Sequence, residues 1–185
     1  MDLPGTYSIM SNSEEEEIAR DYICFGNPNA TVVVLDATCL ERNLNLVFQI
    51  MEITDNIIVC VNLLDEAKKK NIHIDLELLS NLLGVPVVGT IARNKKTLNK
   101  LMSTILDVCT KKIKPSPKRI IYNSYIETGI SYVEKELGTI PEKLRRWTAL
   151  KLIDEESKIL NSIEQHLEFN ISKNPTLLEA INEAR

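Results

Sequence analysis

The sequence predicts an α/β module on a parallel sheet, followed by an all-α module. Three observations carry this. Two β-branched apolar runs of strand length, ATVVVLD at 30–36 and NIIVCVN at 56–62, flank an amphipathic helical segment, and a third short run, Val85 to Val88, follows two more. Strands joined by helix-length connections pair in parallel, because a parallel pair needs a long crossover. Beyond Lys114-Pro115-Ser116-Pro117-Lys118 only helical spacing remains; two prolines this close block both helix and ladder.

The elements follow in order. Met1 to Ser13 is rich in Gly, Pro and Ser without a period and reads as loop. Ser13 is a good N-cap, with Glu16 at the capping-box position, for a helix to about Ile23. The acids Glu14 to Glu17 read as a solvated first turn favoured by the helix dipole rather than a metal cluster. Ala30 to Asp36 reads as a strand buried on both faces. Glu41 to Glu52 carries Leu44, Val47, Phe48 and Met51 at helical spacing, and Asn56 to Asn62 is a second buried strand. Leu64 to Lys70 is a short helix. Asp75 caps another, with Leu76, Leu79, Leu82 and Leu83, which Gly84 ends. Val85 to Val88 is the third strand. Thr97 to Ile113 is a closing helix with Leu98, Leu101, Ile105, Leu106 and Cys109 inward. In the second module Ile126, Ile130, Val133 and Leu137 share a stripe, Gly138 stops that helix, and Pro141 starts one with Leu144, Trp147 and Leu150. Ile159, Leu160, Ile163 and Leu167 make another helix, and Leu177, Leu178 and Ile181 a last short one. Trp147 is expected at the centre of this module, near Leu144, Ile130, Val133 and Ile163.

Composition narrows the function. The net charge is −4, from 22 basic and 26 acidic residues, which speaks against a nucleic-acid partner. No apolar run reaches the ~20 residues of a membrane span, and no signal peptide is visible. Cys24, Cys39, Cys60 and Cys109 form no C-x-x-C pair and read as reduced, mostly buried thiols. His73 and His166 have no metal-ligand spacing.

Binding groups in open parallel sheets gather at the carboxyl ends of the strands. The second strand ends Asn62-Leu63-Leu64-Asp65, an N-x-x-D. An Asn amide can bond a purine edge and hold a neighbouring loop, and a carboxylate there can accept the N1–H and exocyclic amine of guanine together. The third ends Gly89-Thr90-Ile91-Ala92, where small Ala92 lets a backbone N–H approach a base carbonyl. Asp2-Leu3-Pro4-Gly5 is a D-x-x-G: Asp2 can hold a Mg²⁺-bound water and the Gly5 N–H can face a γ-phosphate. D-x-x-G, N-x-x-D and T-x-A in this order make the distal half of a guanine-nucleotide site.

The surrounding residues sharpen this. Asp2 to Ser8 (DLPGTYS), Ala19 to Ile23 (ARDYI), Asp36-Ala37-Thr38, Leu40 to Leu44 (LERNL), Asn62 to Ala67 (NLLDEA), Leu83 to Val88 (LGVPVV) and Arg145 to Leu152 (RRWTALKL) closely resemble the cytosolic G domain and helical domain of the bacterial ferrous iron transport protein B (FeoB) family. The resemblance implies a partial Ras-like (P-loop GTPase) sheet with three remaining strands. It divides the chain into a truncated GTP-binding domain at 1–113, a linker at 114–117 and a helical domain at 118–185 that modulates nucleotide release. It also implies GTP or GDP and Mg²⁺ as ligands, with Asp2, Gly5, Asn62, Asp65, Thr90 and Ala92 as the nucleotide-binding residues and Asp2 reaching Mg²⁺ through water.

Three features depart from the pattern. No G-x-x-x-x-G-K-[ST] is present. Thr6 follows Gly5 where Ras-like proteins place a water-orienting Gln, and Leu63 replaces the Lys of N-K-x-D. The expected function is therefore the cytosolic regulatory portion of an inner-membrane ferrous iron transporter, cytoplasmic, binding guanine nucleotide weakly and not hydrolysing it as this chain. The alternatives are a slow GTPase whose phosphate loop lies upstream, and a stand-alone interaction module. The expected partners are guanine nucleotide and the rest of the transporter, namely the missing G-domain segment and the membrane domain. Without its neighbouring strand, Ala30 to Asp36 should be an exposed apolar edge that self-associates, and Val33→Lys should raise solubility.

Overall fold

The computed structural model describes residues 1–6, 8, 9, 13–154, 157–167, 170 and 174–185, with 157–159 by backbone alone. Residues 7 and 10–12 of the expected N-terminal loop, and the Ile159 side chain on its expected stripe, lie outside the described residues.

Helix α1 (Glu14–Phe25) starts where Ser13 Oγ accepts the Glu16 N–H and runs two residues past Ile23 to Gly26. Three parallel strands follow in the order β1-β2-β3: β1 (Thr31–Asp36), β2 (Ile57–Asn62) and β3 (Val87–Gly89). The register pairs Thr31 with Ile57, Asp36 with Asn62, and Val61 with Gly89. The third strand is shorter than Val85 to Val88. Pro86 has no N–H to donate, so it offers only its carbonyl to the Val59 N–H, and the ladder begins one residue later.

Helix α2 (Leu40–Ile53) and α4 (Leu76–Leu83) cover one face of the sheet, where Leu35, Ile57, Val59 and Val61 belong to the main core. Short helix α3 (Leu64–Lys69) leads out of β2. On the other face, Ile58 and Val88 pack against Val108 of α5 (Lys95–Cys109), with Leu101 and Ile105 beside them. The inner stripe of α5 is thus 101, 105 and 108; Leu106 and Cys109 are exposed, as is Leu82 on α4. Helix α5 ends at Cys109 rather than Ile113 because Lys111 takes a left-handed conformation (φ 60°) and Thr110 bonds back to the Leu106 carbonyl.

Strand β2 is buried on both faces, as its sequence predicts. Strand β1 is not. Thr31, Val33 and Leu35 point into the core, whereas Val34 is 61% exposed and Val33 only 3%. The run of branched residues conceals the alternation that the sheet imposes. Val33→Lys would therefore bury a charge, and Val34 is the position open to water.

No regular element lies between Cys109 and Ser124. Part of this stretch is fastened to the end of α4: the Ser116 and Lys118 N–H groups donate to the Gly84 and Leu83 carbonyls at 2.9 and 2.8 Å. Gly84 has φ 72°, and a Cβ there would stand 2.1 Å from the Ser116 carbonyl oxygen. Gly84→Ala is thus expected to destabilise the chain by about 2–4 kcal/mol, combining left-handed strain with overpacking. An unchanged urea midpoint would mean that the connection moves aside freely.

The remaining helices are α6 (Ser124–Glu136), α7 (Glu142–Ile153), α8 (Ser157–Leu167) and α9 (Pro175–Ala184). Gly129 lets α6 and α9 approach closely; a Cβ there would stand 2.9 Å from the Ala184 Cβ. Ile130, Val133, Leu144, Trp147 and Ile163 are all buried as expected, while Ile126 and Leu178 are exposed. This core is continuous with the sheet core, because α2 packs on the sheet and on α7. Helix α1 is tied to α8 by Arg20 bonding Ser162 Oγ at 2.8 Å, and by Phe25 stacked on His166 at 4.3 Å between ring centres.

Candidate functional site

The carboxyl ends of β2 and β3 are laced together. Asn62, the last residue of β2, accepts through Oδ1 from Thr90 Oγ1 at 3.1 Å and from the Ala92 N–H at 3.2 Å. The buried Thr90 donates its N–H to the Val61 carbonyl at 2.8 Å, and its hydroxyl lies 3.2 Å from Cys60 Sγ. Farther along, Thr97 Oγ1 bonds both the N–H and the carbonyl of Ile91 at 3.1 Å. The 90–92 loop is thus held at both ends by groups 28 and 6 residues away. The Nδ2 of Asn62 makes no bond among the described residues, so its two donors remain for a ligand. The Ala92 N–H, expected to meet a base carbonyl, is here given to Asn62.

Asp65 sits in the first turn of α3, where the helix dipole favours a carboxylate. Leu63 before it takes a left-handed conformation (φ 61°) that swings the chain from strand to helix. The Asp65 carboxylate is ion-paired with Arg93, one residue beyond Ala92, and Arg93 also stands 3.9 Å from Glu66. Desolvation acts to raise the Asp65 pKa, but the Arg93 hydrogen bond and charge outweigh it and hold the carboxyl below its ordinary range. Sequence reasoning missed Arg93; its place directly after the T-x-A was the available signal.

Asp2 and Gly5 lie in the N-terminal segment without regular structure, and both are exposed. Among the described residues no hydrogen bond or ion pair joins them to the Asn62, Asp65 and Thr90 cluster. Thr6 Oγ1 is engaged in a local turn with Ser8. Among the described residues, no group of three His, Cys, Asp or Glu could hold a metal ion by side chains alone.

A parallel sheet with helical connections, looped together at its carboxyl edge and carrying a helical module on α2, is a G-domain fold with an appended helical domain. The chain belongs to the FeoB family. Residues 1–105 match the family model for ferrous iron transport protein B, and residues 122–185 match that for the FeoB cytosolic helical domain. It is 33% identical to the Fe(2+) transporter FeoB of Escherichia coli (strain K12) over 159 residues, 83% of this chain and 20% of that protein. It is also 33% identical to a Fe(2+) transport protein A/Fe(2+) transporter FeoB fusion protein of Porphyromonas gingivalis, over 86% of this chain and 20% of the fusion. The chain therefore spans about a fifth of the length of these curated relatives. Among solved structures, mGMPPNP-bound NFeoB from S. thermophilus superposes with TM-score 0.81 at 30% identity, covering 99% of this chain and 67% of that one. NFeoB from S. thermophilus bound to GDP.AlF4- and K+ gives 0.83 at 30%, covering 99% and 70%. The cytosolic domain of the T. maritima FeoB in a GDP form gives 0.79 at 27%, covering 99% and 74%. No described helix is long and apolar enough to cross a membrane.

Proposed function

We propose that this chain is the cytosolic regulatory portion of an inner-membrane ferrous iron transporter, and that it holds the base end of GTP or GDP. The observation that carries the reading is the Asn62 strap between the two strand ends, with Asp65 beside it. In this reading the Asp65 carboxylate accepts the guanine N1–H and exocyclic amine, and the free Asn62 Nδ2 donates to the purine edge. To meet the base carbonyl, the Ala92 N–H must leave the Asn62 Oδ1 that holds it here. Asp2 and Gly5 serve the phosphate end. Residues 1–113 form the G-domain part, 114–117 the linker and 118–185 the domain that modulates nucleotide release. Solved relatives with bound GDP support the nucleotide.

The phosphate end is weak here, because this sequence has no G-x-x-x-x-G-K-[ST] to cradle it. Base contacts alone support about millimolar affinity, roughly −4 kcal/mol. Hydrolysis and tight binding would need polypeptide outside this sequence, which the 67% coverage of the solved relative leaves room for. The partners are that G-domain segment and the membrane part of the transporter.

Arg93 shapes the test. Its guanidinium occupies the carboxylate edge that guanine would use, so nucleotide must displace it. Saturation-transfer NMR with guanosine and adenosine diphosphates should detect the guanine nucleotide preferentially. Asp65→Ala is expected to abolish that preference, and Arg93→Ala to strengthen guanine binding by about 3- to 10-fold. Equal signals from the two nucleotides, or an unaltered preference in Asp65→Ala, would sink the assignment.

A further inference from the structure

A basic run crosses the end of the sheet opposite Asn62 and Asp65. From Val108 to Ile126 the sequence has five basic residues and no acidic one, in a chain whose net charge is −4. The run passes the amino ends of the strands. Lys118 Nζ donates to the Asn81 carbonyl at 2.8 Å, and Arg119 donates to the Met51 carbonyl at 3.0 Å and to Asp55 at 2.8 Å, just before β2. Helices α2, α4 and α5 end on this side. A helix C-terminus favours a cation, which accounts for a lysine or two but not for the whole run.

The positive charge is only partly answered. Lys112 pairs with Asp107 at 3.4 Å and Arg119 with Asp55 at 2.8 Å. Lys118 meets a carbonyl dipole rather than a carboxylate. Lys111 and Lys114 are exposed and make no ion pair among the described residues.

The run turns apolar where it leaves the sheet. Ile120, Ile121 and Tyr122 are consecutive and all exposed; Ile121 is 85% exposed, and Tyr125, at the start of α6, is 67% exposed. Large apolar side chains exposed in succession mark a surface that meets something else. A nucleic acid would neutralise the lysines but would gain little from Ile121. An anionic bilayer surface takes both: lipid phosphates meet the cations, and the interfacial layer accepts isoleucine and tyrosine.

We propose that residues 111–125 form a peripheral membrane-docking surface. Its basic half lies on anionic phospholipid headgroups, and Ile121 and Tyr125 enter the interfacial layer. Docking this way turns the Asn62 and Asp65 edge away from the bilayer and leaves it open. The inference rests on the proposed place of the chain beside the inner membrane; the nucleotide assignment plays no part in it.

Vesicle flotation without nucleotide tests this, because vesicle-bound protein rises whereas aggregated chain sinks. The chain should float with vesicles of equal parts phosphatidylglycerol and phosphatidylethanolamine, and not with phosphatidylcholine alone. Raising the salt from about 0.1 to about 1 M, which shortens the screening length from about 10 to about 3 Å, should release most of it. A lysine near such a surface contributes about fivefold in binding, so Lys111→Gln with Lys114→Gln should weaken it about 20-fold. Ile121→Ser should weaken it about tenfold. No flotation with the anionic vesicles, equal flotation with both kinds, or indifference to both variants would overturn the proposal. Binding of polyuridylate without binding of vesicles would also overturn it and assign the run to a nucleic acid. Failed flotation beside an intact guanine preference would remove this inference alone.

Discussion

Trp147→Ala is expected to lower the unfolding free energy by about 3–5 kcal/mol, the cost of removing a large aromatic from a packed core. The indole is 3% exposed and belongs to one hydrophobic cluster with Ile130, Val133, Leu144 and Ile163. That same cluster continues through Val47, Ile50 and Met51 of α2 to Val59 and Val61 of the sheet. The loss should therefore appear in the whole chain and not only in the helical part. Urea unfolding followed by far-ultraviolet circular dichroism and by amide exchange in β2 would move together. A drop below about 1 kcal/mol, or a loss confined to α6–α9, would mean that the modules unfold independently and that the junction at α2 and α7 contributes little.

The pair Val33→Lys and Val34→Lys is expected to give opposite results. Val33 faces the main core, so a lysine there must bury its ammonium or break the packing, at a cost of several kcal/mol. That is a large part of a stability of typically about 5–15 kcal/mol, and the variant should be found mostly unfolded or insoluble. Val34 is exposed on β1, the outermost strand, and a lysine there breaks an apolar edge with charge. Among the described residues no other backbone bonds to β1 on the side away from β2. An unpaired edge of this kind invites a second strand, such as that of another copy. The unaltered chain should associate with rising concentration in light scattering, and Val34→Lys should reduce this. A chain that stays monomeric at high concentration and is indifferent to Val34→Lys would show that its edge is already protected.

Much of the fold is legible locally. Ser13 and Asp75 cap their helices through contacts three residues away, Gly84 takes the left-handed turn that ends α4, and β2 is apolar along its length because both its faces are covered. The carboxyl-edge motifs were readable too, since Asn62, Asp65, Thr90 and Ala92 stand at strand ends where the chain must turn. Other features needed the third dimension. The sequence of β1 looks like that of β2, yet only its position at the end of the strand order leaves Val34 in water. Leu106 and Val108 are both apolar residues of one helix; the rotation of α5 on Ile58 and Val88 chose between them. Arg93 meets Asp65 across 28 residues, and Arg146 meets Glu127 across 19 residues and Glu52 across the module boundary. Caps and turns are set by a few neighbouring dihedrals, which a short stretch of chain already contains. Charge pairs and one-sided burial depend on which distant segments arrive beside them, and packing alone decides that.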